Sequence, residues 1–251
     1  MRSQIERIRA SFQSSLASID ELLNFDRIVL DFAIQGLEQL TNTLKNQLKV
    51  TNPYLLADSN LKSLKNIREH DSMRIQYKRI FNQFLVLLVS HFASTVRDLF
   101  ESAIDEAAKV DKFEKINRAK IEITLAELQK NAETISGGEF LSIQKNISFQ
   151  DMQSIGRAFQ EYFDIAVLKD AHVNNIIIAQ ACRHAIVHSG ARFDKKLQTQ
   201  VSSAKPRTIK PLVELDSEIL FSPEEVKQVG ESMKIYLERL FSELHSAFGA
   251  A

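Results

Sequence analysis

The side chains best suited to chemistry lie close together near one end of a predicted helix. Arg183 is followed directly by His184, and His188 comes four residues later. At about 100° per residue, a helix would place these three side chains and the amide of Gln180 on one face, opposite an apolar face. The C-terminal end of a helix dipole favours cationic His and Arg. The spacing therefore predicts a polar front on a helix whose back is buried.

Three kinds of site are compatible with this arrangement. The cations could simply complement the helix dipole and bind its last carbonyl groups. His184 and His188 could hold a metal ion, although no third ligand is near and Arg183 would repel a divalent cation. Alternatively, an imidazole could move a proton during RNA cleavage while arginine stabilises the charged phosphate. The spacing alone does not choose among them.

The segment over residues 174–194 resembles the R-x4-6-H motif of HEPN domains. Arg183 and His188 occupy the two motif positions, and a polar residue, His184, directly follows the arginine as in many members. HEPN domains are all-α proteins, and many are RNA-cleaving toxins or effectors of bacterial defence and toxin–antitoxin systems. The likeness covers about residues 81–240. It implies a metal-independent endoribonuclease without a cofactor, in which Arg183 and His188 are catalytic and His184 supports them.

The same resemblance bears on partners and on alternatives. It implies RNA as the substrate, a homodimer whose two motifs face one composite cleft, and an antitoxin or defence-system protein as a further partner. An acidic residue that members often carry on an early core helix is matched here by Ala93 or Ser94. The tyrosine that marks members modified by a nucleotidyltransferase is replaced by Gly190. Because inactive HEPN proteins exist, an RNA-binding or regulatory bundle is the alternative, and a helical protein-interaction adaptor is a third reading.

Charge is balanced over the chain but clustered beside the motif. The 32 basic and 32 acidic residues exclude a globally basic nucleic-acid coat. Residues 192–210 contain six basic residues against Asp194, a net charge of +5. Such a segment could bind RNA phosphates, or it could merely balance the acidic stretch over 213–238. The predicted RNA-binding residues are Gln180, Arg192, Lys195, Lys196, Lys205, Arg207 and Lys210.

Composition predicts a helical, cytoplasmic protein. The 251 residues include only 7 Gly and 4 Pro, whereas sheets joined by many tight turns need more of both. The single cysteine, Cys182, excludes an intramolecular disulfide and is expected in the core. The longest strictly apolar run, residues 84–89, is far shorter than the roughly 20 residues of a membrane span. The first residues lack the apolar stretch of a signal peptide.

The apolar spacing predicts an all-α bundle, which the resemblance makes an up-and-down bundle of the HEPN type over residues 76–251. Residues 1–75 would form a helical extension packed on it, with helices 5–23 and 28–48 as an antiparallel hairpin. The same spacing fits a partner-binding coiled coil, as an adaptor would need. The other predicted elements are helices over 54–110 with a break near 70–72, 113–135 ending at Ser136-Gly137-Gly138, 150–163, 170–190 and 222–248, a loop over 192–210 and a short extended element over 213–221.

Overall fold

The described part of the chain is helical. A computed structural model describes residues 2–47, 49, 58–69, 71–110, 113–120, 122, 136–210 and 214–249. Within these residues no strand occurs, and extended backbone pairs only in an isolated antiparallel bridge between Arg192 and Glu218. The predicted all-α fold class is confirmed.

One long helix organises the packing of the others. The helices in the described residues are α1 Arg2–Asn46, α2 Asp58–Glu69, α3 Asp71–Ala107, α4 Glu114–Asn117, α5 Gly137–Gln144, α6 Met152–Phe163, α7 Ala171–His188, α8 Lys195–Ser203 and α9 Pro223–Gly249. α1, α5, α7 and α9 all pack against α3. The apolar core is a single cluster that runs from Ile5 in α1 to Leu244 in α9.

α3 is apolar because it lies at the centre of this core. Leu85, Phe92 and Phe100 are completely buried, and the ring of Phe100 meets those of Phe159 and Phe163 edge-on. By length and composition the segment Arg79–Ala107 could also cross a membrane, and it is the one such helix in the described residues. The same test is passed by core helices of soluble proteins, so this segment is weak support for a span.

The N-terminal region is one continuous helix, so the predicted hairpin of helices 5–23 and 28–48 is wrong. No glycine or proline interrupts residues 24–27, and nothing there forces the chain to turn. α1 pairs instead with α2. The pairing is antiparallel, as three ion pairs show: Lys45–Asp58, Glu38–Lys65 and Asp31–Arg68. The first half of α1 buries Phe12 and Ile19 in the core.

The glycine pair at 137–138 lies in the first turn of α5. The Ser136 hydroxyl accepts a hydrogen bond from an N–H in the first turn of α5 (3.2 Å), as an N-cap does. Gly138 is required by packing, because a Cβ there would overlap the backbone of Glu101 in α3. Of the helix predicted over 113–135, the structure describes α4, and residues 118–120 after it are not helical. Residues 121 and 123–135, which include the predicted end, lie outside the described chain.

The segment predicted as a loop over 192–210 contains α8. The Asp194 carboxylate caps this helix by accepting from the Leu197 N–H at 2.7 Å. Apolar periodicity does not reveal α8, because Leu197 and Val201 are its only buried residues. In the extended element predicted over 213–221, the described residues form a turn and the one bridge rather than a strand.

Helix starts near the candidate site follow their local signals. The Asp170 carboxylate accepts from the Val173 N–H at 2.9 Å and caps α7, as predicted. Ser222 and Glu225 each bind the other's backbone N–H, at 3.2 and 3.1 Å, and start α9 with the predicted capping box. The helix predicted over 150–163 is α6.

Candidate active site at the end of α7

The back of α7 is fixed inside the bundle. Ile176, Ile178 and Cys182 have no exposed surface, and this burial raises the pKa of the Cys182 thiol to about 12. At the start of the helix, Asp170 also forms an ion pair with Arg239 of α9. α7 therefore has a defined position and rotation, which fixes the direction of its polar residues.

Two buried asparagines attach α7 to the chain around it. The Asn175 amide donates to the hydroxyls of Thr208 (2.8 Å) and Ser232 (3.1 Å), and its oxygen accepts from the Thr208 N–H (3.1 Å). The Asn174 amide donates to the carbonyl of Pro206 at 2.8 Å. These bonds hold the chain after α8 against α7.

Lys210 is buried two residues after Thr208, the partner of Asn175. Its ammonium group lies 2.6 Å from a Glu225 carboxylate oxygen, donates to the Leu220 carbonyl and sits 4.0 Å from the centre of the Phe221 ring. Only 7% of the residue is exposed. The prediction that Lys210 binds RNA is not supported by this geometry, because its charge is compensated inside the protein. We call Asn174, Asn175, Lys210 and Glu225 the buried polar cluster.

Arg207 also has a structural role. Its guanidinium donates to the carbonyls of Val201 (2.7 Å), Ala204 (3.3 Å) and Lys210 (3.0 Å). The last carbonyls of a helix lack partners within it, and Arg207 supplies one at the end of α8. The prediction that this side chain contacts RNA phosphates is not supported by this geometry.

The other predicted RNA-binding cations remain at the surface. Lys195 and Lys196 begin α8 and are exposed, as is Lys205 just after that helix. We call these three the exposed lysines. Arg192 is exposed too, although its guanidinium also donates to the Asp216 carbonyl at 2.8 Å. The net charge of residues 192–210 is thus larger than the positive charge that is exposed to a polyanion.

The end of α7 brings two imidazoles together. The rings of His184 and His188 lie 4.9 Å apart, centre to centre, at an angle of 51°, and both residues are exposed. No hydrogen bond joins either ring to another of the residues that the structure describes. Arg183 is half-buried, and its guanidinium lies 3.4 Å from the Gln150 amide oxygen. We call Arg183, His184 and His188 the motif end.

Gln180 does not share the exposed face of the motif end, contrary to prediction. It is 7% exposed, and its amide oxygen accepts from the Met152 N–H at the start of α6 (3.0 Å). Gln150, two residues before Met152, is the neighbour of Arg183 that sequence reasoning missed. No local pattern could reveal it, because α6 and α7 meet only through folding.

The turn after α7 is held by backbone hydrogen bonds. Gly190 adopts a φ of 67°, which a glycine accepts without strain, so the chain reverses directly after the helix. The Ile219 N–H then donates to the Ala191 carbonyl at 2.7 Å, and the Phe193 N–H donates to the Ser217 carbonyl at 3.0 Å. The backbone that follows His188 is thus tied to the segment before α9.

The early core helix α3 has no carboxylate at the position where HEPN domains often carry one. Ala93 is buried and Ser94 is exposed on α3, so neither supplies a carboxylate. Further along this helix, burial raises the pKa of Asp98 and of Glu101, and Glu101 accepts from the Ser142 hydroxyl at 2.7 Å. Within the described residues, no three His, Cys, Asp or Glu side chains are grouped to hold a metal ion.

The motif end has the functional groups for proton transfer and for anion binding. An imidazole titrates near neutrality and can accept or donate a proton, and a guanidinium can bind a phosphate through two N–H groups. Comparison of the chain with protein-family models, with curated proteins and with solved structures gives no match. The resemblance to HEPN domains therefore rests on the sequence pattern around α7.

Proposed function

We propose that this protein is a HEPN-type, metal-independent endoribonuclease whose reacting groups form the motif end. The observation that carries the proposal is the contact between the exposed rings of His184 and His188 at the end of a helix whose opposite face is buried. A structural helix end needs no pair of imidazoles held in contact with solvent. General acid–base catalysis needs them there, because the substrate must reach them.

The reaction that suits these groups is transfer of a phosphodiester to the neighbouring 2′-oxygen. His188, in its neutral form, takes the proton of the ribose 2′-hydroxyl, and the freed oxygen attacks the phosphorus. The bond to the 5′-oxygen breaks, and a protonated imidazole gives that oxygen its proton. The products are a 2′,3′-cyclic phosphate and a 5′-hydroxyl. Arg183 stabilises the charge on the phosphate during the transfer.

A homodimer would complete this site. One motif end offers groups on a single side of a phosphate, whereas in-line transfer needs an acid and a base on opposite sides. A two-fold axis through the motif ends would bring the second pair of imidazoles opposite the first. We further propose a cytoplasmic setting and an antitoxin or defence-system protein as a regulator, both from the resemblance alone.

RNA binding without cleavage is the second candidate function. It is favoured by the exposed lysines, which lie in the segment directly after the motif end and add positive charge without internal partners among the described residues. Such a surface attracts phosphates whatever the fate of the RNA.

The test is cleavage of total RNA by the purified protein in the presence of a chelator. We expect His188→Ala and Arg183→Ala each to reduce the rate by about 10²–10⁴-fold, with unchanged melting behaviour. His184→Ala should have a smaller effect. A mobility shift of the RNA without cleavage would favour the binding function. The absence of both cleavage and binding would contradict both functions.

His245→Ala is the matched control. His245 is an exposed histidine on α9, and it lies beyond Arg239, which pairs with the start of α7. It is therefore at the opposite end of the helix pair from His188. If His245→Ala is fully active and His188→Ala is inactive, the chemistry belongs to the motif end. Equal activity of all variants would contradict catalysis by the motif end.

A further inference from the structure

The second half of α1 carries an apolar stripe that the bundle leaves exposed. Phe25 is 61% exposed and Phe32 77%. At about 100° per residue the members of the stripe fall within an arc of about 80°. We call this set the outer stripe; it consists of Leu22, Phe25, Val29, Phe32, Gly36 and Leu40.

The stripe is confined to one stretch of a helix face. In the first half of α1, the same arc carries exposed Ser11, Ser14 and Ser18. In the second half, no charged residue falls within the arc of the outer stripe. The opposite face of this half is already covered, because Ile34 and Thr41 are buried. The outward face of α1 is therefore polar in its first half. Between residues 22 and 40 this face is apolar, although the opposite face already packs on the bundle.

Gly36 has no explanation within one copy of the chain. Glycine lowers helix stability, yet Gly36 lies inside a 45-residue helix. A Cβ added there would have no atom within 4 Å, so no close packing requires the glycine. It is also exposed and lies within the outer stripe. An unexplained small residue in an apolar face is typical of a helix surface that receives a large side chain from a partner.

The stripe is complementary to itself when two copies run antiparallel. A two-fold axis near residues 30 and 31 sets Phe25 of one copy against Gly36 of the other, and Val29 against Phe32. Leu22 and Leu40 then meet at both ends. Each phenylalanine thus faces a smaller residue, which is an arrangement that fills space between helices. A parallel pair would instead set glycine against glycine and phenylalanine against phenylalanine.

We infer that a second copy of this chain docks antiparallel on the outer stripe. The exposed apolar surface of the stripe is on the order of 600 Å² per copy, judged from the size of its aromatic and aliphatic side chains. Two copies would then bury on the order of 1,200 Å², the lower end of the range for stable protein–protein interfaces. This interface is distinct from the motif end, and the inference does not depend on the proposed function.

Sedimentation of the full chain tests the inference. Without RNA, the like charges of two motif ends oppose their pairing, so only the outer stripe should associate. At tens of micromolar, the wild-type protein should then sediment at about twice 28.6 kDa. Phe32→Glu should sediment as a monomer, since the buried charges would meet near the two-fold axis. Ser18→Glu, on the same face but outside the stripe, should remain a dimer. A monomeric wild type would overturn the inference, as would a Phe32→Glu dimer.

Gly36→Leu separates the interface from the fold. Within one copy the leucine meets nothing and improves helix propensity, so the variant should unfold at higher denaturant concentration at dilutions where the chain is monomeric. In the dimer the leucine occupies the space of Phe25, so the dissociation constant should rise at least tenfold. Unchanged association of Gly36→Leu would contradict the antiparallel register. Association lost in His188→Ala but kept in both stripe variants would place the dimer at the motif end and overturn the inference.

Discussion

The motif end and the buried polar cluster, whose two asparagines lie on the same helix, differ in how their charges are compensated. In the buried polar cluster, Lys210 has a carboxylate, a carbonyl and an aromatic ring around its ammonium group. At the motif end, Arg183 has one long hydrogen bond, and the two imidazole rings lie against each other without a hydrogen bond to another described residue. A buried charge must be compensated, whereas an exposed one is compensated by water.

The difference shows where stability and reactivity can be separated. Removing a group from the buried polar cluster leaves its partner unsatisfied away from water, so the fold should suffer. Removing a group from the motif end leaves no such partner, so only chemistry should suffer. The following predictions test this contrast, beginning with the largest effect.

The thiol on the buried side of α7 should be almost unreactive. Since its pKa is about 12 instead of the ordinary 9.0, the thiolate fraction of Cys182 near neutral pH should be lower by roughly a thousandfold. We expect a thiol reagent to modify it only on unfolding. A cysteine introduced by His184→Cys, two residues along, should react at once with one equivalent. Rapid modification of the wild-type protein would show that the back of α7 is accessible.

Lys210→Ala should lower the free energy of unfolding by about 3 kcal/mol, because it leaves Glu225 without its cation in a largely buried setting. Chemical denaturation measures the effect. Lys195→Ala is the control at an exposed lysine of the same segment and should change stability by less than about 0.5 kcal/mol. Equal stability of the two variants would mean that Lys210 is solvated after all.

Asn175→Ala should cost about 2 kcal/mol, since two hydroxyls and one N–H lose a partner inside the protein. Its effect should be smaller than that of Lys210→Ala because no charge is left behind. His184→Ala, on the exposed side of the same helix, should melt with the wild type. A destabilised His184→Ala would show that the motif end also supports the fold.

Replacing the exposed lysines with glutamine should leave stability unchanged and weaken RNA binding. Each phosphate contact with a single strand contributes about 0.7 to the slope of log K against log salt, so three lost contacts should reduce the slope by about 2. Binding titrations at several salt concentrations measure it. A slope equal to that of the wild type would show that these lysines do not meet phosphates.

The sequence was informative where structure is set locally. The caps of α7 and α9 were predictable, because Asp170 and Ser222 act on N–H groups three residues away. The start of α5 was missed, since the glycines after Ser136 are also common just past helix ends and the contact of Gly138 with Glu101 depends on the fold. The continuous α1 was missed because two shorter helices give the same apolar spacing.

The candidate site divides in the same way. Arg183, His184 and His188 could be found from type and spacing, whereas Gln150 could not, since it reaches Arg183 through the packing of α6. The sequence of the basic segment does not show that Lys195 is exposed and Lys210 buried. Their difference comes from Glu225, fifteen residues after Lys210, whose approach depends on the whole fold.

The most direct measurement is the chemistry of the RNA ends produced by the purified protein in chelator. We expect fragments that carry 2′,3′-cyclic phosphates and 5′-hydroxyls, no cleavage where a 2′-deoxynucleotide replaces the attacked ribose, and no fragments from His188→Ala. Fragments with 5′-phosphates and 3′-hydroxyls, or intact RNA at every protein concentration, would contradict RNA cleavage by Arg183 and His188.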